Sequence, residues 1–558
     1  MLTCVRTVSC FSQLMSVTTE SLTHLFPLDE AAIPEAWRRP EPLHQRQYLL
    51  DGELREWHGP VQEVLTPIYT RLTDGTLAPR VIGSYPLLDE AESLNALDAA
   101  VRAYDYGRGE WPTMSVVERI AAVEHFTRLV VARKAEIVQL LLWEIGKSAA
   151  DSEKEFDRTI DYIRNTIDAL KDLDRDSSRF KIEEGIIGQI RRSPLGVMLC
   201  MGPFNYPLNE TFCMLIPALI MGNTVLFKPP KHGALLHYPL LQAFTEAFPK
   251  GVVNTVYGRG NAIVPALMAS GKIDVLGLIG SSRVADSLKK LHPKSNRLRV
   301  VFGLDAKNVA IIMPDADLEV ALKESVLGSL SFNGQRCTAL KLFMVHESIA
   351  EEFVRRFALE INKLKPGMPW DEKVNITPLP EPQKPGYLAE CLADATSKGA
   401  RIINVGGGTT AGPLVYPALV YPVKEGMKLW REEQFGPVVP VASFGKVEEA
   451  IQYIINSDHG QQVSIFGSES QEVANLIDQL VNQVSRVNIN AQCQRGPDTF
   501  PFTGRKDSAE GTLSVYDALR SFSIRTVVAT KQTEANKEML NKIVNEQESS
   551  FLSTRFIL

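Results

Sequence analysis

The fold is decided by Pro194-Leu-Gly-Val-Met-Leu-Cys-Met-Gly-Pro-Phe-Asn-Tyr-Pro207 and its continuation through Asn209–Met221 to Gly222-Asn-Thr-Val-Leu-Phe-Lys-Pro-Pro-Lys231. Gly196–Met201 and Thr224–Lys228 are short apolar runs of strand length, each bounded by Gly or Pro. Between them, Phe212–Gly222 is the most apolar run near the middle of the chain. It falls well short of the roughly 20 residues that span a bilayer, and Pro217 interrupts it, so it reads as a buried helix. Strand, helix, strand is a βαβ unit. The alternation continues with a helical Tyr238–Ala247 and strand-like Val252–Val256, Val275–Ile279 and Val309–Met313. It predicts an α/β fold with a parallel sheet covered by helices.

Towards the N-terminus, Phe180–Arg192 carries Ile182, Ile186, Ile187 and Ile190 around a central Gly, a hairpin signal. Before it stand two long helical stretches, Ser115–Ile145 and Asp151–Leu173, the second with Asp151 or Ser152 as N-cap. A helix from near Leu87 is marked by Leu94, Leu97, Ala100, Val101 and Tyr104, and residues 48–84 read as short strands and turns. Towards the C-terminus a second α/β block runs from about Pro314 to Val487. Gly406-Gly-Gly-Thr-Thr inside it reads as a loop and not a phosphate cradle, because no helix starts after it. From Lys531 the chain turns polar and reads as only partly ordered.

At 558 residues the chain outgrows a single core, so two or three domains are expected. A net charge of -6 gives no electrostatic reason to bind nucleic acid or an anionic membrane. The cysteines are odd in number (7) and widely spaced, with no Cys-x-x-Cys or Cys/His cluster. That pattern suits a reducing compartment, the cytoplasm, and argues against both a disulfide framework and zinc. Residues 1–15 hold one Arg and no acid, which is thin evidence for a targeting peptide. They read as an untargeted extension with Met15 as an alternative start.

One cysteine stands in a context of its own, Ser331-Phe-Asn-Gly-Gln-Arg-Cys-Thr-Ala-Leu340. A lone cysteine is more often an inert core residue. A nucleophilic Cys337 needs partial exposure and a stabilised thiolate, from helix N-terminal amides or a cation such as Arg336. The segment resembles the nucleophile segment of the aldehyde dehydrogenase superfamily. The resemblance implies a thiolate that attacks an aldehyde, a thiohemiacetal that loses hydride to a nicotinamide, and a small-molecule aldehyde as partner.

Four further stretches are similar to that family's motifs, in family order. In Gly202-Pro-Phe-Asn-Tyr-Pro207 the resemblance makes Asn205 the amide donor to the oxyanion and Pro203 a cofactor contact. In Gly222–Lys231 it makes Lys228 the ribose-binding lysine. Three residues on, where NAD-preferring members commonly carry Glu, stands Lys231. A cation there suits a 2′-phosphate, so NADP is expected over NAD. Leu278-Ile-Gly-Ser-Ser-Arg-Val-Ala285 resembles the turn beneath the pyrophosphate, with Ser281 as a contact and Ala285 in place of the usual final Gly. Glu433-Gln-Phe435-Gly-Pro437 matches the stretch that holds the nicotinamide ribose. The resemblance covers roughly residues 48–530 and implies the aldehyde dehydrogenase fold: a Rossmann-like cofactor domain, an α/β catalytic domain and a β-hairpin oligomerisation element.

The expected division is an N-terminal extension (1–47), a dinucleotide-binding domain (48–178 and 193–304), oligomerisation strands (179–192 and 520–530), a catalytic domain (305–519) and a tail (531–558). The strands imply a homodimer or homotetramer. More narrowly, Gln335-Arg-Cys-Thr338 and Cys493-Gln-Arg-Gly-Pro-Asp498 resemble the non-phosphorylating glyceraldehyde-3-phosphate dehydrogenase branch. That implies substrate-binding roles for Arg158, Tyr206, Arg336, Thr338 and Arg495, since arginine forks suit a phosphate dianion. Any one of these arginines, taken alone, is more often an ordinary surface ion pair.

One position departs from the family. Most members carry Glu-Leu-Gly-Gly-Lys, whose Glu activates the water that hydrolyses the thioester. Here the stretch is Gly303-Leu-Asp-Ala-Lys307, with Gly303 34 residues before Cys337. Asp305 is the expected substitute. Glu433 as base, acyl transfer to another nucleophile such as CoA, and a binding relative without turnover are the alternatives.

Overall fold

The computed structural model of the chain describes residues 17–39, 41–555 and 557. The expectations for residues 1–15 lie outside the described residues. The first sheet holds six strands in the order Val253–Thr255, Thr224–Lys228, Val197–Met201, Val275–Ile279, Arg299–Gly303 and Ala509–Glu510. The first five run parallel and the last is antiparallel. Val197–Met201 and Thr224–Lys228 are buried along their whole length. A strand covered on both faces has no polar side to show, which is why both read as unbroken apolar runs. The helix Asn209–Ile220 between them is also buried throughout. The strand order reverses between Val197–Met201 and Val275–Ile279. A doubly wound sheet opens a ligand crevice at the carboxyl ends of such a pair.

The second sheet has seven strands, in the order Arg401–Ile402, Ala418–Tyr421, Val438–Phe444, Leu340–His346, Asn308–Ile312, Gln462–Phe466 and Arg486–Ile489. Only its first strand is antiparallel. The two sheets are joined twice. The chain passes directly from Arg299–Gly303 to Asn308–Ile312, and Ala509–Glu510 returns to pair with Arg299–Gly303. The Leu304 N–H donates to the Ser508 carbonyl at 2.9 Å, and the Gly460 N–H donates to Ser508 Oγ at 3.1 Å.

A third sheet, Phe180–Glu183, Ile186–Pro194 and Ser523–Lys531, is antiparallel. It exposes Ile182, Ile186, Ile524, Val527 and Val528, more apolar surface than a free sheet face usually shows. The N-terminal strands Val61–Arg71 and Leu77–Pro86 form a ribbon, and residues 17–39 pack Leu22, Phe26 and Ile33 into the core.

Three boundaries differ from expectation. The long helix is Ala149–Ser177, and its N-cap is Ser148, whose side chain accepts from the Asp151 N–H. Neither Asp151 nor Ser152 caps it. The stretch 115–145 is two helices, Val116–Val131 and Lys134–Ile145. The buried positions Val123, Phe126, Val130, Ile137 and Leu141 keep helical spacing through the break, so periodicity does not mark it. The tail holds a helix, Glu534–Asn545, capped by Thr533. The Ser553 carbonyl beyond it accepts from Gln189 Nε2 at 2.6 Å and Arg191 Nη1 at 3.2 Å.

Candidate active site

A cavity of about 990 Å³ opens at the switch point and reaches the nucleophile segment. Lys228, Lys231, Gly303, Cys337, Glu433 and His459 are among its walls. Cys337 is partly exposed. It does not start a helix. The chain leaves Leu318–Leu330, tightens through Ser331–Gly334 and turns at Cys337 before the strand Leu340–His346. Phe332, Asn333 and Gly334 take left-handed backbone conformations at φ 48, 55 and 70°. Asn333 is held there by the Thr377 N–H, which donates to its Oδ1 at 2.9 Å.

Arg336 does not supply the cation expected beside the thiol. Its Nη2 donates to the Leu327 and Gly328 carbonyls at the end of the preceding helix. Burial pushes the Cys337 thiol up from its ordinary value. Glu210 adds to the rise, Lys341 and Arg495 oppose it, and Glu433 raises it further. Lys341 Nζ also donates to the Cys337 carbonyl at 3.0 Å.

Asn205 is buried, and its Nδ2 donates to the Gln335 carbonyl at 2.8 Å, two residues before the nucleophile. Its position is set by a pair invisible in the motif. Lys147 and Glu155 form an ion pair with both side chains fully buried. Lys147 Nζ donates to the Asn205 carbonyl at 2.8 Å. Glu155 Oε1 accepts from the Leu208 and Asn209 N–H groups at 3.0 and 3.2 Å. The same ammonium lies 3.7 Å from the Tyr206 ring centroid and 4.3 Å from that of Phe332. One buried charge pair thus joins the Asn205 loop to the turn before Cys337.

On the dinucleotide side, burial lowers Lys228 to about 8. Its Nζ has one long bond, to the Pro229 carbonyl at 3.3 Å. Lys231 is exposed at the cavity rim, and Arg283 lines the same cavity. Ser281 caps the helix Ser282–Leu291, its side chain accepting from the Val284 N–H. Glu433 Oε1 accepts from Lys341 Nζ and from the Ala306 N–H. Lys307 Nζ binds Gln434 Oε1 and the Glu432 carbonyl, both at 2.7 Å, so the loop carrying Glu433 and Phe435 is fixed from beneath. Three cations and a tethered carboxylate in a large crevice at a switch point fit a phosphorylated dinucleotide.

The residues expected to hold a substrate phosphate do not converge as free donors. Arg495 Nη1 pairs with Glu210, and its Nε donates to Asp498 at 3.3 Å. Arg158 pairs with the same Asp498 at 2.8 Å. Two arginines thus face two carboxylates, and it is Glu210 that borders the cavity. Tyr206 stacks on Lys147, and Thr338, next to Cys337, is buried.

Around Gly303 the cavity is open. A Cβ built there would meet Ile279 first, at 3.4 to 3.9 Å, an ordinary van der Waals contact. Asp305, the expected base, lines the cavity with one oxygen already bonded: its Oδ2 accepts from Ser282 N–H and Oγ–H, both at 2.8 Å. The structure adds Lys147, Glu155, Glu210, Lys341 and His459 to the site. None lies inside the motif stretches quoted above; Glu210 falls three residues after Pro207 and Lys341 directly after Leu340.

A doubly wound sheet whose crevice ends at a half-exposed cysteine beside a braced amide defines a thiol-dependent, dinucleotide-linked oxidoreductase. A profile of the Aldehyde dehydrogenase family matches residues 76–528. The chain belongs to that family. It is 33% identical over 457 residues to the NADP-dependent glyceraldehyde-3-phosphate dehydrogenase of Streptococcus equinus, covering 81% of this chain and 92% of the relative. It is 30% identical over 428 residues to the enzyme of that name from Pisum sativum, covering 75% and 84%. A solved structure of NADP-dependent glyceraldehyde-3-phosphate dehydrogenase from Bacillus halodurans C-125, complexed with NADP, matches with TM-score 0.79 and 30% identity, covering 89% of this chain and all of that one.

Proposed function

We propose that this chain oxidises an aldehyde to its carboxylic acid with NADP, through a thioester on Cys337. The observation that carries the reading is the junction of Cys337, the braced Asn205 amide and a cation-lined crevice in one cavity. Cys337 Sγ attacks the carbonyl carbon, and Asn205 Nδ2 donates to the oxygen as charge builds on it. NADP, when bound, supplies the hydride acceptor. Lys228 and Lys231 hold its adenosine-ribose phosphate, Ser281 and Pro203 border its path, and Glu433 and Phe435 orient the nicotinamide ribose. Water then releases the acid.

Glyceraldehyde 3-phosphate is the proposed substrate. The Gln335–Thr338 and Cys493–Asp498 segments and the relatives' names support it. A second reading, an unphosphorylated aldehyde, is favoured by Glu210, which already occupies Arg495. NADPH formation with glyceraldehyde 3-phosphate and with glyceraldehyde, each with and without CoA and phosphate, tests both. Activity with neither aldehyde overturns the function, and a preference for glyceraldehyde selects the second reading. The exposed apolar residues Ile182, Ile186, Ile524, Val527 and Val528 of the third sheet support a homodimer or homotetramer, and the free cysteines support a cytoplasmic setting. No helix among the described residues is long and apolar enough to cross a membrane.

A further inference from the structure

Hydrolysis of a thioester needs a proton acceptor for the water, typically worth about 10²–10⁴-fold in rate. Position 303 offers no side chain, and the nearby carboxylates each have one oxygen tied up. Glu433 is held by Lys341 and the Ala306 N–H, and Asp305 by Ser282. His459 differs from both. Its Nδ1 is buried and has no hydrogen-bond partner among the described residues. The residue lines both the large cavity and a second groove of about 180 Å³ formed with Trp430, Tyr453 and Asp458. Among the described residues it is the one shared by the two.

The backbone places His459 beside the gap. His459 and Gly460 pair with Lys506 and Arg505. Gly460 N–H donates to Ser508 Oγ while Leu304 N–H donates to the Ser508 carbonyl, so one residue links the His459 strand to the residue after Gly303. We propose that His459 accepts the proton of the water that hydrolyses the Cys337 thioester and passes it to the groove behind. The water O–H bond breaks towards the imidazole as its oxygen bonds the acyl carbon. The C–S bond then breaks, Cys337 leaves as thiolate, and the imidazolium releases its proton on the groove side. The proposal rests on the thioester reading above.

Burial lowers the His459 basicity, Glu433 and Asp305 raise it, Lys341 lowers it and Asp458 raises it. Lys506, opposite across the strand pair, is turned to the Ile454, Ile455 and Ser457 carbonyls. The imidazole is therefore neutral and able to accept a proton at pH 7. Hydrolysis should fall only as pH drops below the ordinary histidine value of 6.5.

The test uses His459→Asn and His459→Gln with NADP and the better aldehyde substrate. The expected result is one NADPH per subunit in a fast burst, steady turnover reduced about 10²-fold, and an acyl adduct on Cys337 by intact mass. Hydroxylamine, which attacks without a base, should restore turnover. Adding Gly303→Glu to His459→Asn should restore hydrolysis and move its pH dependence to the carboxylate range. Steady turnover within about twofold of the unaltered chain, with no adduct, overturns the proposal. Loss of the burst in both variants also overturns it, since His459 would then serve acylation or folding. If the unaltered chain forms no adduct and no NADPH with any aldehyde, the thioester reading itself fails and takes the proposal with it.

Discussion

Asn205 and Gly303 border the same cavity but are built in different ways. Asn205 sits on a loop pinned by a fully buried Lys147–Glu155 pair that also grips the turn before Cys337. Gly303 ends a strand with no side chain, and the acid–base groups around it are Asp305, two residues on, and Glu433 and His459 from two other segments. In the proposed reaction the attack half therefore depends on one rigid brace. The release half is assembled from parts that can be altered one at a time.

The strongest way to break this contrast is to cut the brace. Glu155→Gln leaves the Lys147 ammonium buried and unpaired, and should cost about 3–5 kcal/mol in denaturant unfolding. A loss below about 1 kcal/mol would show that the pair does not hold the loop. Asn205→Ala should slow the NADPH burst by about 10²–10³-fold. An unchanged burst rate would remove Asn205 from oxyanion binding. Lys231→Glu should raise the KM for NADP by about 10–100-fold while leaving NAD unaffected or improved, because it swaps a charge-assisted phosphate contact for repulsion.

Glu210→Gln should raise kcat/KM for glyceraldehyde 3-phosphate over glyceraldehyde by about tenfold, by freeing Arg495. It should also speed alkylation of Cys337 at neutral pH, since the carboxylate helps to hold the thiol up. The sign comes from the charges: a raised thiol is protonated at pH 7, and removing a neighbouring anion favours thiolate. Asp305→Asn has the smallest expected effect, hydrolysis within about twofold, because its carboxylate already serves the helix end at Ser282. A tenfold loss with acyl build-up would move the base from His459 to Asp305 and redraw the contrast.

Most of the first sheet is legible in the sequence because its strands are buried on both faces, so Val197–Met201 and Val275–Ile279 are continuous apolar runs closed by glycine or proline. Cys337, Asn205 and Lys228 stand out for a similar reason, each lying in a compact local motif. What stays hidden depends on pairs distant in sequence. Glu210 and Arg495 meet across 285 residues, and nothing local to either tells of the other. The position of Arg336 differs from expectation because its carbonyl partners at Leu327 and Gly328 lie where a helix ends, which the motif does not mark. His459 lies in no motif at all. Its significance comes from the two cavities it lines.

Ser508 holds Leu304 with its carbonyl and Gly460 with its hydroxyl. It works as a caliper, fixing the gap between two walls that belong to different sheets. Anyone grafting this release chemistry onto a related scaffold would have to carry the 505–510 turn along with residues 303 and 459. Transplanting the two walls without their spacer would move the right groups to the wrong separation.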